Sequence, residues 1–169
     1  KSQQEAIIAN FFYLNSINYI YEYAYKFKTA DKDHRQYKPD FYLPDYDVYI
    51  EHFGIDREGR VNFAPGNSGK NAILSNKYNE EMRWKRNLHS EHQTRLIETF
   101  SYEFTERDWE EKLINKLKEQ NVVLKQRSLQ EVLKILREGG QIYQVVDLFL
   151  TFLDLAKSNH YSAQDLLQI

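Results

Sequence analysis

Apolar side chains recur at helical intervals from the start of the chain. Ile7, Ile8, Phe11, Phe12 and Leu14 follow Ser2 and Glu5, which stand at capping-box spacing. The spacing predicts a helix from about Gln3 to Leu14. Tyr19 to Tyr25 is aromatic and β-branched, with Tyr19, Tyr21, Tyr23 and Tyr25 at alternate positions, and reads as a strand with those tyrosines on one face. A polar loop follows to Gln36. Tyr37 to Leu43 and Val48 to Phe53 read as two more strands, joined by Pro44-Asp45-Tyr46-Asp47, whose proline and aspartates favour a turn. Residues 54 to 74 hold four of the six glycines and show no period, which predicts a long surface loop. Ser75 to His92 is a polar helical pattern, Arg95 to Thr99 a short strand, and Asp108 the cap of a helix to about Gln120. The order helix, three strands, helix, strand, helix predicts an α/β (α+β) fold with a mixed sheet flanked by helices, over residues 1–122.

Residues 123–169 form a separate helical segment, with helices over Ser128–Glu138, Gln141–Lys157 and Ser162–Gln168 and a break at Gly139-Gly140. The middle helix is apolar nearly all round, from Ile142 to Leu155. That is more than so short a segment can bury alone, and it predicts docking on a further surface.

Composition narrows the chemistry. At 169 residues the chain has room for one domain and a modest appendage. Its 41% hydrophobic content and its 13 Tyr, 10 Phe and 2 Trp exclude an intrinsically disordered chain. There is no cysteine, so disulfides, thiolate metal sites and thiol nucleophiles are excluded, and any metal must be held by oxygen or imidazole. The net charge of −2 advertises no bulk affinity for nucleic acid. No stretch approaches the roughly 18 apolar residues of a membrane span, and the first residues are unlike a signal peptide. A cytoplasmic protein without a membrane partner is the expectation. The start without Met suggests a piece of something longer.

The sharpest chemical clue is in the hairpin. A four-residue loop over Pro44–Asp47 pairs Leu43 with Val48, Phe41 with Ile50 and Asp40 with Glu51. The apolar residues then share one face and the two carboxylates the other, beside Tyr42, Tyr49 and Phe53. Like charges with Cβ atoms about 5 Å apart repel unless something neutralises them. A divalent cation would, and hard oxygen donors point to Mg²⁺ or Mn²⁺. The alternative is turn chemistry for Asp40 and a basic partner for Glu51. His52 should point to the opposite face. Residues 75–95 carry five Lys or Arg against three acids, which makes Lys77, Arg83, Arg86 and His89 candidates for phosphate contacts, with a solvated helix face as the bland alternative.

Pro39-Asp40 with Glu51 one strand later, after a helix bearing Glu5, resembles the PD-(D/E)XK (restriction-endonuclease-like) nuclease superfamily, whose core has this αβββαβ order. Tyr37-Lys-Pro-Asp-Phe-Tyr-Leu-Pro, Tyr49-Ile-Glu-His-Phe-Gly, Trp84-Lys-Arg-Asn-Leu-His and Leu96-Ile-Glu-Thr-Phe-Ser look like the nuclease-like domain of bacterial DNA helicases related to UvrD, Rep and helicase IV. Phe149-Leu-Thr-Phe-Leu-Asp-Leu-Ala-Lys-Ser-Asn looks like part of the motor. The resemblance implies Mg²⁺- or Mn²⁺-dependent DNA cleavage in repair or recombination. Asp40 and Glu51 would be the metal ligands and Glu5 an assisting acid; DNA and the rest of the helicase chain would be partners, with ATP used only in the motor. A capping role explains Glu5 equally well. The family's usual lysine stands two residues after the second acid, where this chain has Phe53. Some members take the lysine from the following helix, which makes Lys85 the candidate, with Lys77 as one alternative and a solvated lysine as the bland reading. The same fold without catalysis, as a DNA-binding or docking module, is the rival that Phe53 permits.

Overall fold

The computed structural model describes residues 2–32, 34–61, 68–139 and 142–159, except for the side chains of 68–71 and 142–145. The elements are α1 (Gln3–Leu14), β1 (Ile20–Tyr21), β2 (Phe41–Leu43), β3 (Val48–Phe53), α2 (Ser68–Glu91), β4 (Arg95–Phe100), α3 (Ser101–Thr105), α4 (Trp109–Glu119), α5 (Leu129–Glu138) and α6 (Ile142–Ser158). Residues 1–126 and 127–169 are two compact units. Among the described residues no helix is long and apolar enough to cross a membrane.

The first unit is α+β, with one mixed sheet in the order β1-β2-β3-β4. β1 pairs with β2 and β2 with β3 in antiparallel fashion, and β4 runs parallel to β3. The hairpin register is Phe41 with Ile50 and Leu43 with Val48, as alternation predicts. These four side chains are fully buried and pack with Ile8, Phe11 and Phe12 of α1 and Leu113 and Leu117 of α4. The opposite face of the sheet meets α2. There Tyr25, Tyr37 and Tyr49 pack with Trp84 and Leu88, and Phe53, Ile55 and Val61 pack with Met82. Every residue of β3 is buried, because helices cover both faces.

Local chemistry sets the element ends. The Ser2 hydroxyl accepts the Glu5 N–H (3.1 Å) at the start of α1. Its end turns through Ser16 at φ 56°, and the Ile17 N–H returns to the Phe12 carbonyl. The hairpin turn closes with the Tyr46 N–H on the Leu43 carbonyl and Asp47 at φ 50°.

Five expectations need correction. The strand over Tyr19–Tyr25 is cut to Ile20–Tyr21, because Glu22 takes φ 50° and inserts a bend. Pairing then resumes with the Tyr25 N–H on the Tyr37 carbonyl. The inserted residue reverses the facing of the next tyrosines. Tyr19 and Tyr21 pack with the α1 core, whereas Tyr23 stacks on Tyr42 and Tyr25 joins the α2 side. The loop to Leu74 is too long, since α2 begins at Ser68; Gly69 and Asn71 are weak helix formers and hide the period. β2 is shorter than Tyr37–Leu43, and α3 stands where no helix was predicted. Asp108 sits at the α4 N-cap but makes no capping bond, its carboxylate pairing with Lys112 at 2.8 Å.

In the second unit Ser128 and Glu131 form a reciprocal capping box at the start of α5. On α6, Leu148, Phe149, Leu150 and Leu155 are exposed. The predicted helix over Ser162–Gln168 lies outside the described residues.

Candidate functional site

Alternation along β3 turns Tyr49, Glu51 and Phe53 toward α2 and His52 away from it. His52 is buried on the far face, its Nδ1 3.0 Å from Thr99 Oγ1 and its Nε2 2.8 Å from Gln4 Oε1. Burial lowers its pKa to about 4, so the ring is neutral and structural.

Asp40 ends the segment before β2. Its Oδ2 accepts the His52 backbone N–H at 2.7 Å, which fixes the carboxylate at the sheet beside Glu51. Glu51 is 1% exposed. Its Oε2 accepts from Lys85 Nζ at 2.8 Å, and its Oε1 is buried with no hydrogen-bond partner of normal geometry among the described residues; the Tyr37 hydroxyl stands near the carboxylate and favours its charge. Lys85 reaches it from the middle of α2, with the ammonium over the rings of Tyr37 (5.6 Å) and Phe53 (5.7 Å). Phe53 is thus a wall of the pocket that the Lys85 ammonium occupies.

The charges in this site are unbalanced. Burial pushes the Asp40 carboxyl up to about 7, and the Glu51 charge adds to the effect. Burial also lifts Glu51, although the Lys85 ammonium opposes it. Burial alone would push Lys85 down, but the Glu51 carboxylate outweighs it and holds the lysine above its usual value. Lys85 is therefore an ammonium and no general base at neutral pH. One ammonium faces two carboxylates, and Asp40 carries the deficit by keeping a proton near neutrality.

Glu5 is half-buried on α1. Burial would raise its carboxyl, but hydrogen bonds outweigh it, chiefly that from the Tyr21 hydroxyl (2.7 Å), and hold it below the usual value. Its charge reaches Asp40, where it disfavours ionisation. The structure thus brings Asp40, Glu51 and Lys85 together, with Glu5 at their edge. Among the described residues, no three His, Asp or Glu side chains converge as a metal site.

The phosphate-contact candidates separate. Lys77 and Arg83 are exposed on α2. Arg86 is committed to Glu98 of β4, with Nη2 to Oε2 at 2.9 Å, beside the Glu51–Lys85 pair. His89 does not face solvent as expected. It is 3% exposed, with Nδ1 2.7 Å from Thr94 Oγ1 and Nε2 3.2 Å from the Tyr37 hydroxyl. Thr94 Oγ1 is in turn 2.6 Å from the Tyr25 hydroxyl. Sequence reasoning missed this buried chain and the part Tyr37 plays in it. Burial pushes Tyr37 far above its usual range, and the nearby Glu51 charge adds to this. The one signal was a pair of tyrosines and a histidine in segments that both had to face the sheet.

No family model, curated protein or solved structure matches this chain.

Proposed function

We propose that the unit 1–126 is a divalent-metal-dependent phosphodiesterase acting on DNA, of restriction-endonuclease-like architecture and belonging to a DNA helicase of repair or recombination. The observation that carries the chemistry is a buried Glu51 whose Oε2 is held by Lys85 while Oε1 has no hydrogen-bond partner among the described residues, next to an Asp40 that resists ionisation. Hard oxygens short of positive charge fit Mg²⁺ or Mn²⁺. Asp40, through the oxygen not engaged by His52, and Glu51 Oε1 would hold the ion. When bound it would neutralise phosphate charge and lower the pKa of a water. The helicase context rests on the sequence resemblance.

The protein groups have separable tasks. The His52 N–H and the Lys85 ammonium hold the two carboxylates in place before any ligand arrives, so little reorganisation is needed. Lys85, charged throughout the neutral range, stabilises negative charge developing on the phosphate oxygens. Phe53 and Tyr37 exclude water around it, which strengthens that interaction. Glu5, ionised and hydrogen-bonded to Tyr21, positions water at the edge of the site.

The test is cleavage of linear and circular single- and double-stranded DNA with Mg²⁺ or Mn²⁺, alongside calorimetry of metal binding. Asp40→Asn should abolish both cleavage and binding. Lys85→Ala should reduce cleavage by about a hundredfold or more and leave binding in place. The ion must displace the Asp40 proton, so affinity should fall about tenfold per pH unit below about pH 7 and level off above it. Absence of both cleavage and metal binding would falsify the proposal.

A second reading is a catalytically inactive module of the same fold, in DNA binding or docking. It is favoured by Lys85 already neutralising Glu51. It predicts DNA binding that Asp40→Asn leaves unchanged.

A further inference from the structure

Beside the site lies a cleft of about 490 Å³ between the segment 34–38 and α2, and Tyr37 and Lys85 belong to both. The segment is pinned. The Gln36 side-chain amide donates to the carbonyls of Tyr25 (3.0 Å) and Phe27 (2.9 Å), and the Tyr37 N–H donates to Thr29 Oγ1 (2.7 Å).

One wall of the cleft carries a flat aromatic pair. His34 stacks on Trp84 with ring centroids 4.2 Å apart and planes 5° apart, and Asp31 steadies His34 through its backbone N–H (2.7 Å). His34 keeps 37% of its side chain exposed, with the Asp31 carboxylate 3.1 Å from its Nδ1. Around it stand Arg35, Lys38 and Lys77, all exposed and without an ion pair among the described residues. Glu80 and Glu81 line the cleft too. The excess of positive charge is therefore small, and affinity must come mainly from stacking.

We propose that this cleft seats single-stranded nucleic acid, with one base stacked on the His34–Trp84 pair and flanking phosphates against Arg35, Lys38 and Lys77. The proposal rests on the hydrolase reading for its purpose, since the cleft would deliver the backbone to Lys85. It specifies a strand and not a duplex, because a duplex hides the faces of its bases within its own stack. An aromatic platform rewards only an unstacked base, whatever its identity.

The experiment uses the full chain carrying Asp40→Asn, which removes cleavage from the measurement, and also Trp109→Phe, which leaves Trp84 as the reporter indole. A mixed-sequence single-stranded oligonucleotide and the corresponding duplex are titrated in Mg²⁺, following anisotropy and tryptophan fluorescence. The single strand should bind on the order of tenfold tighter than the duplex and quench Trp84. With about three phosphate contacts, the slope of log affinity against log salt should be roughly −2. His34→Ala and Trp84→Leu should each lower single-strand affinity several-fold and leave duplex binding unchanged. His34→Ala keeps the test valid if loss of the half-buried Trp84 impairs folding. Equal binding of strand and duplex, or indifference to His34→Ala, would overturn the proposal. The two readings fail separately: single-strand binding in a protein that never cleaves removes only the hydrolase, and cleavage indifferent to His34 removes only the cleft.

Discussion

Glu51 and Lys85 are worth more as a pair than either is alone. A carboxylate 1% exposed cannot hold its charge without a partner, and the ammonium 2.8 Å away is the one that α2 supplies. Lys85→Met should therefore destabilise the protein by about 3–5 kcal/mol in urea unfolding, as breaking a buried pair usually does. Adding Glu51→Gln should recover most of that loss, because the remaining amide carries no charge to strand. A cost for Lys85→Met below about 1 kcal/mol would mean that water screens the pair, as at exposed sites, and that the lysine is not held in the site. Much of this geometry was legible in the sequence. Strand alternation with a four-residue turn put Asp40 and Glu51 on one face, and the helical spacing through residues 77, 81 and 85 left Lys85 within reach. His89 was not legible, because whether a polar ring on a helix meets solvent or a buried tyrosine is decided by how the helix rotates against the sheet. The ion pair of Arg86 was not legible for a related reason. Its partner Glu98 lies on a strand whose facing depends on β3–β4 pairing.

At the scale of elements, α2 is held to the sheet through a run of buried polar contacts as well as apolar ones. Tyr37, His89, Thr94 and Tyr25 are joined in sequence, and the His89 pKa falls to about 4 because of burial, with the charges of His92 and Lys85 adding. The folded value lies below the usual one near 6.5, so folded protein takes up this proton less readily than unfolded chain. The stability that neutral His89 contributes is then complete above about pH 6.5 and lost as pH falls toward 4. His52 has the same sign. Asp40, raised to about 7, has the opposite one, since its buried charge penalises the fold at higher pH and is relieved on acidification. Replacing His89 by Gln leaves those two groups in place, so the difference isolates His89. The thermal midpoint of the variant should fall less steeply between pH 6.5 and 4.5 than that of the wild type; parallel curves would show that His89 is not a buried neutral ring. Which elements the sequence revealed obeys the same logic. α1 and β4 have a period that matches one covered face, and in the β2–β3 hairpin the alternation separates an aliphatic face from one that carries the tyrosines and carboxylates. β1 failed because Glu22 adopts a left-handed conformation that side-chain type does not signal. α3 failed because its five residues are too few to show a period.

Across the whole molecule, burial is unevenly distributed. Among the described residues, the three buried apolar clusters are built from residues between Ile8 and Val122, and all of them fall within the unit 1–126. The unit 127–169 presents its large apolar side chains outward, with Leu148 72% and Phe149 60% exposed. The exposure matches the apolar excess that periodicity showed for α6, which one narrow contact with α5 cannot absorb. Deleting residues 127–169 therefore removes no member of those clusters. The truncated protein should unfold in one cooperative transition, with a midpoint within a few degrees of the full chain, and should bind Mn²⁺ with unchanged affinity. It should also bind less of a hydrophobic dye such as ANS, because the exposed face of α6 is gone. Calorimetric unfolding and dye titration on both forms check this directly. A truncated chain that unfolds broadly, or that loses the metal while its far-ultraviolet spectrum is unchanged, would mean that the second unit helps to hold α2 on the sheet. In that case the alignment of Lys85 with Glu51 would depend on residues beyond the unit that contains both.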